Sequence, residues 1–383
     1  MRTVLRENRL MSEEKDFKPW FACPGADPDV IVSVRARIAR NLANFPFPSN
    51  FRGDDARRVQ SLVFDAFAQM QGASAESGFH AVETASLDAN GRRILEERGV
   101  LRALPRRVPP EGVRLPETGV VMSTDGRCST TVNCGDHIRI SFFQSALGIQ
   151  NAFDGAYRID SALQERLQFA ASYDFGYLTA SFRDTGSALK LSARIHIPAA
   201  VRFGMLSRIT DIAKQSRLCV VPAFPELSQG SAAGNFFTIE TTSALNGSEM
   251  SQLADFEAAC RDIAETERKI STECADNKRT IVRNSVIRAY SIAKFSLLVS
   301  LREALDIISD IKFGLRLGML EGISDDMLCG LLYRIQPGHL FYLLQDGHFS
   351  FEDDIARDER AKTDRIRALI LQEAFSTISL GNL

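Results

Sequence analysis

Three stretches of the chain place cations at every second position between apolar residues. In residues 32–38, Val32, Val34, Ala36 and Ile38 alternate with Ser33, Arg35 and Arg37. In residues 137–142, Ile138, Ile140 and Phe142 alternate with His137, Arg139 and Ser141. In residues 190–197, Leu191, Ala193, Ile195 and Ile197 alternate with Lys190, Ser192, Arg194 and His196. Successive side chains of a strand point to opposite faces, so each stretch reads as a half-buried strand with a cationic polar face. In one shared sheet, Arg35, Arg37, Arg139, Lys190 and Arg194 would form a basic floor. Guanidinium groups grip phosphate oxygens in a planar fork, so converging arginines suit a polyphosphate. A solvated sheet face with its charges paired to Asp and Glu explains the alternation too, and alternation alone favours it.

The elements that must carry such a floor follow from local pattern. Asp54-Asp55 open a helix with Val59, Leu62, Ala66 and Met70 at helical spacing, ended by the Gly/Ser-rich stretch 72–78. Residues 100–118 are rich in Pro and Arg and read as an irregular connection. From 120 to 239 short β segments dominate: 120–123, 129–133, 137–143, 191–197, 218–224 and 236–239, with helical stretches at 163–172 and 200–215. Strands mixed with helices, without a regular βαβ repeat, predict an α+β domain with a largely antiparallel sheet flanked by helices. After Gly247 the pattern is helical. Stripes run through Leu253, Phe256, Cys260, Ile263 and Ile270 (with Glu267 interrupting), through Val282, Val286, Ala289 and Ala293, and through Leu301, Ala304, Ile308, Ile311 and Leu315. An all-α C-terminal domain is expected, its stripes serving as core or subunit interface.

Composition sets outer limits. The 383 residues suggest two domains, and a formal net charge of -2 gives no global pull toward nucleic acid or anionic membranes. No apolar run approaches the ~20 residues of a membrane helix. The first eighteen residues are charged and lack an apolar core, so they do not read as a signal peptide. Residues 1–19 are expected to form a flexible extension, with Met11 an alternative start. The seven cysteines are scattered and never form Cys-x-x-Cys, which argues against a disulfide framework or zinc site and for a reduced, cytoplasmic protein.

Longer matches turn the balance toward the basic floor. The run Ser33-Val34-Arg35-Ala36-Arg37-Ile38-Ala39-Arg40-Asn41 within 29–47, then Asp136-His137-Ile138-Arg139-Ile140, the segment 178–198 and Gly234-Asn235-Phe236-Phe237 together resemble the ATP:guanidino phosphotransferase family. The stretch 311–324 and Gln336-Pro337-Gly338 resemble the helical domain of its protein-arginine kinase branch. The resemblance implies a guanidino-kinase catalytic domain at 20–250 and a helical dimerisation and phosphoarginine-binding-like domain at 251–383. It implies ATP with Mg²⁺ bridging the phosphates and no metal ligand from the protein. It also implies a protein-arginine substrate or phosphoarginine-bearing partner, a homodimer, and association with a Clp-type protease system. Ser33, Arg35, Arg37, Arg139, Lys190 and Arg194 fall at nucleotide-binding positions. Lys190 stands where an arginine is expected, and a further expected arginine falls on Ala223.

The acceptor side departs from the family. Phosphoryl transfer to a guanidinium relies on positioning, electrostatics and carboxylates near the attacking nitrogen. The family's Asn-Glu-Glu-Asp-His reads Asn133-Cys134-Gly135-Asp136-His137, so the principal glutamate is Gly135. The second glutamate falls on Ser228, and the active-site cysteine segment reads Ser181-Phe182-Arg183-Asp184. Two carboxylates are candidates to substitute: Asp136, which a regular strand points to the opposite face, and Glu226, two residues from Ser228. Cys134 has no marker of a thiolate. An impaired kinase is expected, or a pseudokinase that binds nucleotide or phosphoarginine. In the C-terminal segment, Thr363-Asp364-Arg365-Ile366-Arg367-Ala368 resembles the family's phosphoarginine motif with its first arginine replaced. There Asp364, Arg367 and Ala368 are candidates to bind phosphoarginine, or else belong to a charged amphipathic helix.

Overall fold

The computed structural model describes residues 19–23, 25–70, 78–101, 117–228, 230–245 and 247–381. The extension expected at 1–19 lies outside them up to residue 18, as do 71–77 and 102–116. Strand β1 (Ile31–Arg40) is followed by helix α1 (Asp55–Met70), strand β2 (Phe79–Glu83) and helix α2 (Ala89–Glu97). Strands β3 (Gly119–Ser123), β4 (Cys128–Cys134) and β5 (Asp136–Ser145) lead into α3 (Ile149–Gln164). A small pair, β6 (Ala171–Ser172) and β7 (Gly176–Tyr177), precedes β8 (Leu189–His196), α4 (Pro198–Arg202), α5 (Leu206–Gln215), β9 (Leu218–Pro222) and β10 (Phe236–Thr241). The C-terminal part holds α6 (Glu249–Asn277), α7 (Arg279–Phe295), α8 (Leu301–Arg316), β11 (Leu320–Glu321), α9 (Asp325–Arg334), α10 (Pro337–Asp346), α11 (Glu359–Ala374) and β12 (Ser379–Leu380).

Eight strands form one sheet in the order β2-β3-β4-β5-β1-β8-β10-β9, with every described pairing antiparallel. The expected α+β architecture is present, followed by a helical region that also carries the short β11–β12 pair. The apolar members of the three alternating stretches are buried: Val34, Ala36, Ile38, Ile138, Ile140, Leu191, Ala193 and Ile195 are at most 2% exposed. Burying one face of each strand also fixes its register, because a one-residue slip would turn that face to water.

Several expectations shift. The helix placed at 163–172 lies earlier, at α3, whose Ile149, Ala152, Phe153, Ala156 and Leu163 form the buried stripe. Residues beyond it turn extended, with Leu167 and Phe169 packed into the core. The single helix expected over 200–215 is two, α4 and α5, separated where Gly204 adopts φ +73. In α1, Leu62 is exposed and Val63 and Phe67 take the inner face instead. Helix α2 and strand β2 had no counterpart in the sequence pattern. The polar interruption Glu267 is fully buried, where its carboxylate accepts from the Ala199 and Ala200 amides (2.9 and 3.0 Å) and pairs with Arg316 (3.0 Å). Capping the N-terminus of α4 and pairing an arginine together offset the cost of burying that charge.

Candidate active site

The three alternating stretches are neighbours in the sheet, in the order β5-β1-β8. Arg37 pairs in register with Ser141 on one side and Lys190 on the other, Arg35 with Ser192, and Ser33 with Arg194. Arg139 lies two residues from Ser141 on the same strand face. All five cations therefore project from one face of the sheet. A cleft of about 680 Å³ opens over part of it, lined by Arg35, Arg37, Arg139, Thr131, Asn133, Cys134 and Gly135 from the sheet. Helix α2 and its exit contribute Arg92, Glu96 and Gly99; Glu83 and Glu117 close the end beside β2 and β3.

The cations do not all reach that cleft. Arg35 Nη1 donates to Gly99 O (3.4 Å), which ties the floor to the end of α2. Lys190 is paired with Asp184 (2.8 Å), so the segment that replaces the family's cysteine loop supplies its counter-ion. Like charges directly across a ladder repel, and Asp184 relieves Lys190 of facing Arg37 alone. Arg194 turns aside toward the C-terminal region, stacked 5.2 Å from the Phe224 ring and 5.7 Å from the Tyr333 ring. Ser33 is buried beside Tyr333. The two histidines of the pattern are structural. His137 accepts from Leu42 N through Nδ1 (2.9 Å) and meets Pro46 O through Nε2 (2.9 Å). His196 meets Ser309 Oγ (2.9 Å). Burial lowers the pKa of both, that of His196 further because Arg316 lies beside it.

Gly135, which the resemblance places at the principal glutamate position, sits between β4 and β5 with φ +87. A Cβ there would lie 2.7 Å from Arg139 Cζ, so the guanidinium occupies the space above it. Arg139 is held there by Asp136, whose Oδ2 accepts from its Nε at 2.9 Å. Asp136 Oδ1 accepts from Asn41 Nδ2 (2.9 Å) and the Ala180 amide (2.7 Å), and the residue is 1% exposed. Asp136, a candidate to substitute for the glutamate, thus has both oxygens engaged and clamps the cation. Cys134 lines the cleft, but burial pushes its thiol pKa up despite Arg139 and Arg92.

At the second position, the Ser228 hydroxyl donates to Phe224 O (2.7 Å), and Arg302 of α8 bonds Leu227 O. Glu226 is exposed and does not line the cleft; its charge is felt instead at Glu97. In the C-terminal region, Arg367 is 2% exposed, donating through Nε to Ile335 O (2.9 Å) and through Nη1 to Val299 O (2.8 Å) and Asp364. Ala368 is buried beside it. That guanidinium ties α11 to neighbouring chain, and burial lowers its pKa. The structure brings Arg35, Arg37 and Arg139 together and sets Lys190, Arg194, Glu226, Ser228, Asp364 and Arg367 apart from their cleft. Missed by the sequence pattern were Arg92, Glu83, Glu96 and Glu117, which lie on or beside elements that give no alternation signal.

An antiparallel sheet with arginines converging on a cleft suits a phosphate-bearing ligand, and comparison with known proteins gives the family. Residues 58–270 match the ATP:guanido phosphotransferase C-terminal catalytic domain, and residues 279–382 match the protein-arginine kinase McsB C-terminal domain. The protein-arginine kinase of Symbiobacterium thermophilum is 30% identical over 333 residues, 87% of this chain and 92% of that one. That of Halothermothrix orenii is 28% identical over 350 residues, 91% of this chain and 97% of that one. Among solved structures, a lombricine kinase superposes with a TM-score of 0.55 at 16% identity, covering 67% of this chain and 70% of its own. A duplicated taurocyamine kinase from Schistosoma mansoni gives 0.53 at 17% identity over 66% of this chain and 36% of its own. The chain belongs to the ATP:guanido phosphotransferase family, with the protein-arginine kinases as its matched relatives.

Proposed function

We propose that this chain binds ATP on the floor formed by Arg35, Arg37 and Arg139 and is impaired in passing the γ-phosphoryl group to protein arginine. The observation that carries this is the guanidinium of Arg139 standing over Gly135 where the family places a carboxylate. Three arginines on one sheet face suit a polyphosphate, with Lys190 the next cation across from Arg37. Among the described residues no group of three His, Cys, Asp or Glu side chains is placed to hold a metal ion. Mg²⁺ would arrive on the phosphate oxygens, bridging them and neutralising charge. Losing an aligned general base typically costs about 10²–10⁴-fold in rate. Both family positions are empty of carboxylate here.

A regulatory, non-catalytic dimer in protein quality control is the second reading. It is favoured by the exposed apolar side chains Ile281, Ile287, Phe295, Leu297 and Leu298 on and after α7, which suit a homodimer through the helices of 251–383. In this reading 20–250 is the nucleotide-binding unit. Its partners are proteins bearing arginine or phosphoarginine, within a Clp-type protease system of the reduced cytoplasm. All seven cysteines are free, as such a compartment requires.

The test combines two measurements on one preparation: calorimetric titration with Mg²⁺–ATP, and mass spectrometry for acid-labile phosphoarginine on an arginine-rich protein. Binding without phosphoarginine is expected. Abundant phosphoarginine would overturn the impairment, and no binding would overturn the nucleotide site.

A further inference from the structure

One end of the sheet face that carries Arg35 and Arg37 is covered by aromatic rings from outside the sheet. Tyr333 comes from α9, and Trp20 and Phe21 come from the turn Trp20–Ala22 that precedes β1. Phe21 stacks on Tyr333, with centroids 4.5 Å apart and planes at 25°. Trp20 stacks on Phe143 of β5 (5.3 Å) and meets Tyr333 edge-on (5.8 Å). The strand residues at this end are Ser33 and Arg194, which face each other across β1 and β8. Ser33 is buried beside Tyr333, and Arg194 Nη1 donates to the Tyr333 hydroxyl at 3.5 Å. Both are positions that the resemblance assigns to nucleotide, and one side chain of the C-terminal region engages them both.

The hold on Arg194 is weak. A guanidinium carries five N–H donors and no acceptor. Among the described residues, Arg194 has that long bond and the rings of Phe224 and Tyr333 (5.2 and 5.7 Å), with no carboxylate partner. A separation of 3.5 Å stands at the edge of hydrogen bonding, and a ring contact near the limit of about 6 Å adds little. The Tyr333 ring also has somewhere to go. A cavity of about 330 Å³ adjoins it between α2 and α10, lined by Phe21, Ile94, Arg98, Gln336 and His339. Cavities of this size receive whole small ligands, so one phenol ring fits. A change of side-chain rotamer would carry the ring across while α9 stays in place, anchored by the buried Leu328, Leu331 and Leu332.

We propose that Tyr333 gates the nucleotide floor: closed, as described, it takes up Arg194 and covers Ser33, and open, with its ring in the adjoining cavity, it releases both to the nucleotide. The gate deepens the function proposed above and rests on it for the identity of the ligand. It sets affinity through population, because a site that is competent in only a fraction of molecules binds more weakly by that fraction. The gate stands on α9 and the floor on the sheet, so the C-terminal helices act on nucleotide binding without contributing a phosphate contact.

The test is calorimetric titration of Mg²⁺–ATP into the parent, Tyr333→Ala and Tyr333→Phe. Tyr333→Ala removes the gate and is expected to bind about tenfold tighter, as for a site open in about a tenth of molecules. Tyr333→Phe keeps the ring and loses only the hydroxyl, so a gain of about two- to threefold is expected, and it carries the test if the alanine variant does not fold. Trp20, the chain's single tryptophan, supplies a second readout because it packs against the moving ring. Its emission should change when ATP binds the parent and stay constant when ATP binds Tyr333→Ala. A parent that binds ATP, with affinity unchanged in both variants or with Trp20 emission unmoved, overturns the gate and leaves the nucleotide reading standing. Weaker binding by the variants would make Tyr333 one of the nucleotide's own contacts and overturns the gate too. Absence of ATP binding by the parent and by both variants defeats the nucleotide reading, and the gate with it.

Discussion

The cationic and acidic halves of the cleft are built on different kinds of structure. Arg35, Arg37 and Arg139 sit on β1 and β5 in the interior of an eight-stranded sheet. Their positions are tied to buried neighbours on the opposite face, so the sheet cannot move them without turning apolar residues to water. The positions that the resemblance assigns to the family's glutamates fall at the β4–β5 turn, in the cleft lining, and in the loop after β9, apart from it, where Gly135 and Ser228 stand. Turn residues carry no such constraint. Gly135 even suits its turn, because φ +87 is a conformation that residues with a Cβ rarely adopt. In the function proposed above, a chain can therefore shed those carboxylates and keep its basic floor.

The largest effect should come from the floor. Arg37→Ala removes a central cation and is expected to weaken ATP binding about 100-fold, the loss of one or two charge-assisted hydrogen bonds. Arg37→Lys keeps the charge and loses the fork, so about a tenfold loss is expected. Calorimetric titration separates the two. If Arg37→Ala binds ATP like the parent, the floor is a solvated sheet face after all.

The turn should respond differently, in stability before affinity. Gly135→Ala combines a positive φ with a contact against Arg139, and strain at such sites costs about 1–3 kcal/mol. A lowered midpoint in denaturant, together with weaker ATP binding as Arg139 is pushed from Asp136, is the expected pair of outcomes. An unchanged midpoint would show that the turn relaxes freely. It would also remove the reason for a glycine there.

Much of the cationic half was legible because period-two alternation leaves a mark in the chain. Val34, Ala36 and Ile38 against Arg35 and Arg37 state both a strand and its faces, and the register that joins β5, β1 and β8 follows from burying one of them. What alternation does not encode is where a long side chain goes afterwards. Arg194 shares the face yet leaves it for Phe224 and Tyr333, and Lys190 is held by Asp184, from the turn just before its own strand. The acidic wall was illegible for a related reason. Glu96 and Glu117 have no periodic context, and only the tertiary placement of α2 and β3 brings them to the cleft. The buried pair of Glu267 with Arg316 had the same character: a polar break in a helical stripe, explained by a partner on another helix.

The acidic wall also depends on contacts with the C-terminal helices, which makes it sensitive to acid. Helix α2 docks on α10 through Glu97, whose two oxygens accept from the Gly338 amide at 3.0 Å each. One residue on, His339 is held by burial and by Arg334 and Arg98 at a pKa of about 4, against an ordinary 6.5. The unfolded chain takes up this proton below pH 6.5 and the folded chain only near 4, so stability falls as pH drops through that window. Between pH 7 and pH 5 the loss is about 2 kcal/mol. Burial raises the Glu97 pKa, which works the opposite way, since the folded state then takes up a proton more readily. Comparing the parent with His339→Gln in denaturant melts at both pH values isolates the histidine. The variant should lose markedly less stability on acidification; an equal loss would place the acid response elsewhere.

The smallest effect should come from the rim of the cleft. Arg57 and Glu117 form an exposed pair, the class of ion pair that adds least to stability. Arg57→Ala should barely move the denaturation midpoint. High salt should leave even that small change smaller, because the pair joins solvent-exposed charges. A clearly lowered midpoint would instead show that Arg57 holds Glu117 in place, and that the acidic lining is positioned by ion pairing as the cationic floor is by register.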